Sequence, residues 1–114
     1  MYVRVWEYRV PPDLVDRFAA AYGADGAWVR LFARAPGFAG TELFGAVEST
    51  DRFLTVDRWQ TEEDWHAFLG TWRKDYDALD DELAGVAAVQ SLLAEMTVPD
   101  PAASAAIPRH GRAG

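Results

Sequence analysis

The run from Phe53 to Leu69, FLTVDRWQTEEDWHAFL, places a strand, a helix start and an aromatic helix face in unbroken succession. In an extended chain Phe53, Thr55, Asp57 and Trp59 share one side, and Leu54, Val56 and Arg58 the other. Thr61, three residues before Asp64, forms a capping box that starts a helix at Glu62. Trp65, Phe68, Leu69 and Trp72 then recur at helical spacing. A strand that runs straight into an aromatic-faced helix predicts the second half of a small βαββαβ domain.

The rest of the 114-residue chain supplies the first half and the ends. Tyr2 to Val10 alternates and is rich in Val, Tyr and Trp, which predicts a strand. Pro11-Pro12-Asp13 stops it and opens a helix with Leu14, Phe18, Ala21 and Tyr22 on its buried face. Gly23 to Gly26 interrupts that helix. Trp28, Leu31, Phe32 and Ala35 continue in a second helical piece, which Pro36-Gly37 ends. Phe38 to Phe44 and Phe53 to Gln60 read as a hairpin about a polar loop. The next helix carries Trp65, Leu69, Trp72, Tyr76, Leu79 and Leu83, with Gly70 the expected kink and Gly85 the expected cap. Leu92 to Val98 reads as the last strand. One domain over residues 1–98 and a Pro/Ala/Gly-rich tail over residues 99–114 follow.

This order predicts the ferredoxin-like α+β class, an antiparallel sheet with helices on one face. Tyr2, Trp6 and Tyr8 lie on one side of the first strand, Val3 and Val5 on the other. In the second strand, simple alternation sets Phe38 and Phe44 together, opposite Ala39 and Leu43. Apolar groups on both faces imply that both are covered. In so short a chain the simplest cover is a second copy, so a homodimer is expected.

Charge and cysteine usage exclude several classes. A net charge of −7 repels nucleic acid and anionic membrane surfaces. The absence of cysteine removes disulfides, thiolate metal sites and a cysteine nucleophile. MYVRVWEYRV alternates and carries charge, so it reads as a strand rather than a signal peptide, and cytoplasm is the expected compartment. Asp75, Asp77, Asp80, Asp81 and Glu82 spread around a helix and read as a solvated face, with no metal expected.

The segments VRVWEYRV, APGFAGTELF and FLTVDRWQTEEDWHAFL with DYDALDDELAG resemble the antibiotic-biosynthesis-monooxygenase-like group of dimeric α/β-barrel proteins, over roughly residues 2 to 98. The resemblance implies two sheets packed face to face in a homodimer, with a ligand cavity in each subunit between sheet and helices. The group includes cofactor-free oxygenases of aromatic polyketides, haem-degrading enzymes and cyclases. Haem-degrading members use an asparagine on the first strand and a histidine on the last helix. This chain has no asparagine, and Tyr76 to Asp80 holds no histidine, so no haem and no other cofactor is expected. In the cofactor-free oxygenases Asn, Trp, Tyr and Arg surround a phenolic substrate. The last three types are present here. A substrate that forms a stabilised carbanion reacts with oxygen itself, so the protein need only bind it, deprotonate it and exclude water.

The candidate catalytic residues are His66, Tyr76 and Asp57. His66 is the one histidine within the folded region, and histidine is the residue type whose unperturbed pKa lies near neutrality, which suits a general base. A surface histidine in the second helical turn is the blander reading. Tyr76 extends the aromatic stripe and would orient a phenol or quinone. Asp57 is either a catalytic carboxylate or half of an ion pair. Trp28, Phe32, Trp59, Trp65, Phe68 and Trp72 are the candidate pocket walls, and core packing is the alternative for each. Three functions stay open: a small cofactor-independent monooxygenase acting on an aromatic or polyketide-type substrate, a non-catalytic dimeric binding protein for a small apolar molecule, and a cyclase of the same fold.

Overall fold

In the computed structural model, which describes residues 1–99, alternating side chains build one antiparallel sheet and the helices cover one of its faces. The tail expected from Pro99 onward lies, after its first residue, outside the described residues. The elements are β1 (Tyr2–Arg9), a 3-10 turn (Pro12–Leu14), α1 (Val15–Tyr22), α2 (Ala27–Phe32), β2 (Phe38–Gly45), β3 (Arg52–Trp59), α3 (Glu62–Glu82) and β4 (Val89–Thr97). The sheet order is β2-β3-β1-β4, with every neighbouring pair antiparallel. This is the ferredoxin-like α+β arrangement.

Local chemistry places the helix ends. Pro11 and Pro12 permit only a short 3-10 turn before α1 begins. The Thr61 hydroxyl accepts from the Asp64 N–H at 3.1 Å and caps α3. Glu62, Glu63 and Asp64 then crowd the positive end of that helix. Its dihedral break falls at Trp72 (φ −115°, ψ 26°) and not at Gly70; there the indole stacks on Phe68 with ring centres 5.8 Å apart. Gly85, at φ 87°, turns the chain toward β4 in a conformation that favours glycine. No described helix is long and apolar enough to cross a membrane.

Strand register decides which side chains meet the helices. Tyr2, Arg4, Trp6 and Tyr8 of β1 stand opposite Trp59, Asp57, Thr55 and Phe53 of β3. This row faces α1, α2 and α3, and Tyr2, Tyr8, Thr55, Asp57 and Trp59 are buried in it. Phe18, Phe32, Phe68 and Val86 fill the space above.

The expected alternation of β2 is corrected by a bulge. Phe38 pairs with Trp59 but Gly40 pairs with Arg58, so Ala39 is an extra residue. Gly40 has φ 119°, where L side chains are strained. The bulge separates the two phenylalanines that simple alternation put together. Phe38 packs on Phe32 and Trp59, whereas Phe44 is 46% exposed on the opposite face. It also turns Thr41 inward, opposite Asp57, and Glu42 outward.

The uncovered face carries Val3, Val5, Leu54, Val56, Phe44 and Met96, the last 57% exposed. Cross-strand ion pairs, Arg58 with Glu42 and Arg52 with Glu7, flank these apolar groups.

The bulge can be tested by substitution. A Cβ at Gly40 meets no atom within 4 Å, so any cost of Gly40→Ala comes from the backbone alone. We expect a loss of roughly 1–3 kcal/mol in urea unfolding. Gly45→Ala, whose Cβ would make ordinary contact with the Phe53 ring at 3.5 Å, should cost less. Equal stability of the two variants would remove the strained bulge from the account.

Candidate active site

Asp57 sits mid-strand in β3, between Arg4 on β1 and Thr41 on β2. Only 8% of it is exposed. The Thr41 hydroxyl donates to Oδ1 at 2.7 Å. Desolvation pushes the carboxyl up to about 6; the Thr41 hydrogen bond and the positive charge of Arg4 offset part of that rise. Arg4 does not form an ion pair with it. Its guanidinium donates to Glu95 at 2.9 Å and to the Tyr2 hydroxyl at 3.1 Å, and lies 4.2 Å from the Trp65 ring centre. Among the described residues Asp57 is therefore a buried carboxyl with one side-chain hydrogen bond and no bonded cation, able to take or give a proton near neutrality.

It lies in the floor of a half-open pocket. Trp6 and Tyr8 come from β1, Thr55 from β3 beside Asp57, and Thr41 from β2. Tyr22 of α1, Trp28 and Phe32 of α2 and Tyr76 of α3 form the walls, and Asp80 and Gln90 stand with them. The empty space is about 460 Å³, counted to include open solvent at the mouth. Its balance of many rings with few polar anchors is that of small-molecule sites.

The polar groups in the pocket are mostly neutral donors. Burial raises the phenols of Tyr8, Tyr22 and Tyr76 above their ordinary value, so all three keep their protons at neutral pH. The Tyr8 and Thr55 hydroxyls share a hydrogen bond of 3.3 Å. Trp28 Nε1 lies near enough to the Tyr22 hydroxyl to favour its phenolate slightly, yet not in hydrogen-bonding geometry, so it meets no acceptor among the described residues. Nor do these residues contain a group of three or more His, Cys, Asp or Glu side chains suited to a metal ion.

Of the residues singled out in the sequence, Asp57, Tyr76, Trp28 and Phe32 come together in this pocket. Trp59, Trp65 and Phe68 are buried in the core and do not line it; Trp72, half-buried, packs on Phe68. His66 stands on the exposed side of α3, 3.2 Å from Glu62 and outside the lining. Tyr8, Thr55 and Trp6 were not among the candidates, although they share the face of Asp57 by plain alternation. Thr41 joins them only because of the bulge at Gly40.

The family model described as antibiotic biosynthesis monooxygenase matches residues 1–75. No curated protein matches the chain. Among solved structures, a candidate antibiotic biosynthesis monooxygenase from Nitrosomonas europaea superposes with a TM-score of 0.63 at 20% identity, over 88% of this chain and 100% of that one. A point variant of SnoaB, a cofactor-independent oxygenase from Streptomyces nogalater, gives 0.64 at 15% identity over 87% and 93%. A further candidate monooxygenase of this kind, from Bordetella bronchiseptica, gives 0.61 at 20% identity over 87% and 97%. At these identities the structures share a fold with this chain.

The buried carboxyl predicts a pH-dependent stability. Its value rises from 3.8 unfolded to about 6 folded, so ionised Asp57 destabilises the fold. Both states are protonated below the unfolded value, where no penalty exists; the penalty grows between about pH 4 and 6 and is complete above. About two units correspond to about 3 kcal/mol. Asp57→Asn keeps an oxygen acceptor for Thr41 and carries no charge. It should match the parent near pH 4 and exceed it in stability, by up to that amount, at pH 7–8. Denaturant melts at both pH values check this, and a variant less stable than the parent at pH 8 would refute it.

Proposed function

The chain belongs to the antibiotic biosynthesis monooxygenase family, and from that premise we propose that its pocket binds an aromatic, polyketide-type substrate that Asp57 deprotonates for direct reaction with dioxygen. The observation that carries this reading is the buried carboxyl itself. It lies among aromatic walls, is held by one donor, and titrates near 6. A general base works best when its pKa lies near the operating pH. That SnoaB, a structural neighbour, is a cofactor-independent oxygenase adds support from the fold.

The chemistry needs a carbon acid, such as a methylene flanked by a carbonyl or phenolic rings. With Oδ1 occupied by Thr41, Asp57 Oδ2 takes one proton from that carbon. Neutral Tyr8, Tyr22 and Tyr76 are available to donate to the substrate oxygen on which negative charge collects. The carbanion passes one electron to dioxygen, and the two radicals combine to form a carbon–oxygen bond. The peroxide receives the proton held by Asp57. Loss of the second carbon-bound hydrogen with cleavage of the O–O bond leaves a carbonyl and one water, so the sum is R₂CH₂ + O₂ → R₂C=O + H₂O. The aromatic walls keep bulk water from quenching the carbanion.

The same proposal includes a homodimer. Val3, Val5, Leu54, Val56 and Met96 form an apolar sheet face with no helix of the described residues over it, the kind of surface that marks an interaction site. A second copy laid on that face leaves the pockets, on the helix side, free.

Two measurements follow. Oxygen consumption with an anthrone-type substrate should rise through about pH 6 and level above it. Asp57→Asn should slow it by roughly 10²–10⁴-fold while the protein stays folded, and His66→Ala should leave it unchanged. Full turnover by Asp57→Asn would reject this base, whereas saturable binding with no turnover by the parent would favour the carrier reading. Separately, sedimentation equilibrium should give a dimer that Val5→Glu dissociates, and a monomeric parent at micromolar concentration would remove the dimer.

A further inference from the structure

We propose that the pocket selects an aromatic ligand bearing a protonated amine at its outer end and refuses the corresponding carboxylate, with Asp80 setting the preference. This rests on the pocket reading above and names the charge class of its ligand. Among the described residues the lining holds two carboxyls, Asp57 and Asp80, and no Arg, Lys or His. Asp80 lies one helical turn after Tyr76, so the two side chains share a face of α3. Its charge acts on both the Tyr22 and the Tyr76 hydroxyls, against that of Arg4 at Tyr76.

Of the acids of α3 that have no ion pair among the described residues, Asp80 is the one that lines the pocket. Asp75 is paired with Arg34 and Asp77 with Arg73, both pairs on exposed surface, while Asp80 has no ion pair among the described residues. Arg4 faces the helices beside Asp57 and offsets part of its desolvation, but its guanidinium is held by Glu95, the Tyr2 hydroxyl and the Trp65 ring. An entering carboxylate would meet two like charges, and the nearby guanidinium of Arg4 is already held by Glu95. A protonated amine meets Asp80 and the side-chain oxygen of Gln90, with the faces of Trp28 and Tyr76 nearby for cation–π attraction. The phenolic end of such a ligand would point inward to Asp57, and its basic end to the mouth.

Three isosteric naphthols test this by calorimetry: 6-(aminomethyl)-2-naphthol, 6-(hydroxymethyl)-2-naphthol and 6-hydroxy-2-naphthoate. Affinity should fall in that order, with the amine about tenfold or more tighter than the carboxylate and the gap narrowing with added salt. Asp80→Asn should weaken the amine by up to about fivefold and leave the neutral probe alone. Asp80→Lys, at an exposed position, should reverse the order of the charged pair. Comparable affinities for amine and carboxylate, or an order unmoved by Asp80→Lys, would overturn the charge preference while leaving Asp57 chemistry standing. Failure of all three probes to bind would overturn this inference and the pocket reading together.

Discussion

Phe32 is the side chain on which the helix layer is fastened to the sheet. From α2 its ring meets Trp28 on the same helix, Phe38 on β2, Trp59 on β3, and Trp65 and Phe68 on α3, with centre distances of 5.2–6.2 Å. Four elements thus converge on one ring. Aromatic pairs of this kind contribute roughly 0.5–1.5 kcal/mol each beyond the area they bury. Phe32 also lines the pocket. The wall that a ligand would touch is therefore the outer surface of the core, held from behind by packed rings, and not a loop that must be ordered on binding.

That packing offsets a local defect in the sheet. Asp57 and Arg58 are neighbours in sequence and meet opposite fates. Arg58 faces the uncovered side and pairs with Glu42 in partial contact with water. Asp57 faces the helices, where burial withholds solvent and the nearest guanidinium is engaged elsewhere. The bulge at Gly40 fixes what accompanies it. Were the strand to pair on from Phe38 with Ala39 opposite Arg58 and no bulge, Gly40 would stand opposite Asp57 and Glu42 opposite Thr55. A second carboxyl would then enter the pocket and the hydroxyl that holds Oδ1 would leave it. A single glycine conformation thus separates a satisfied, poised carboxyl from a pair of like charges.

Most of the fold was legible because its signals are local. The alternation of Tyr2 to Arg9, the Thr61 cap and the spacing of Trp65, Phe68 and Trp72 each act over a few residues, and together they give the element order. The face of Phe44 was not legible, because alternation assumes no bulge and the decisive feature is one dihedral of Gly40. The site was readable in part. Asp57 shares its phase with Phe53 and Trp59, so its burial follows once those rings face the core, and the same count in β1 would have produced Trp6 and Tyr8. The aromatic stripe of α3 could not be divided in advance. Trp65 and Phe68 pack on Trp59 of the sheet, whereas Tyr76 meets Trp28 and lines the pocket, a matter of where the helix crosses. The case for His66 as a base rests on its residue type alone. Its position about 100° around the helix from Trp65 governs where it lies, and it lies beside Glu62 in solvent.

The strand that carries the base also links the two faces of the protein. Thr55 and Asp57 point into the pocket, while Leu54 and Val56, between and beside them, point to the uncovered face. In the homodimer proposed above, a partner would hold Leu54 and Val56 from below as Phe32 and its neighbours hold Trp59 from above. β3 would then be pinned on both sides, and Asp57 would have little freedom to swing toward water and regain its ordinary pKa. Burial gives the carboxyl its basicity near neutrality, and burial persists only where the backbone beneath it stays in place. On this argument the apolar underside of the sheet and the acid–base chemistry above it are parts of one physical arrangement, joined through alternate residues of a single strand.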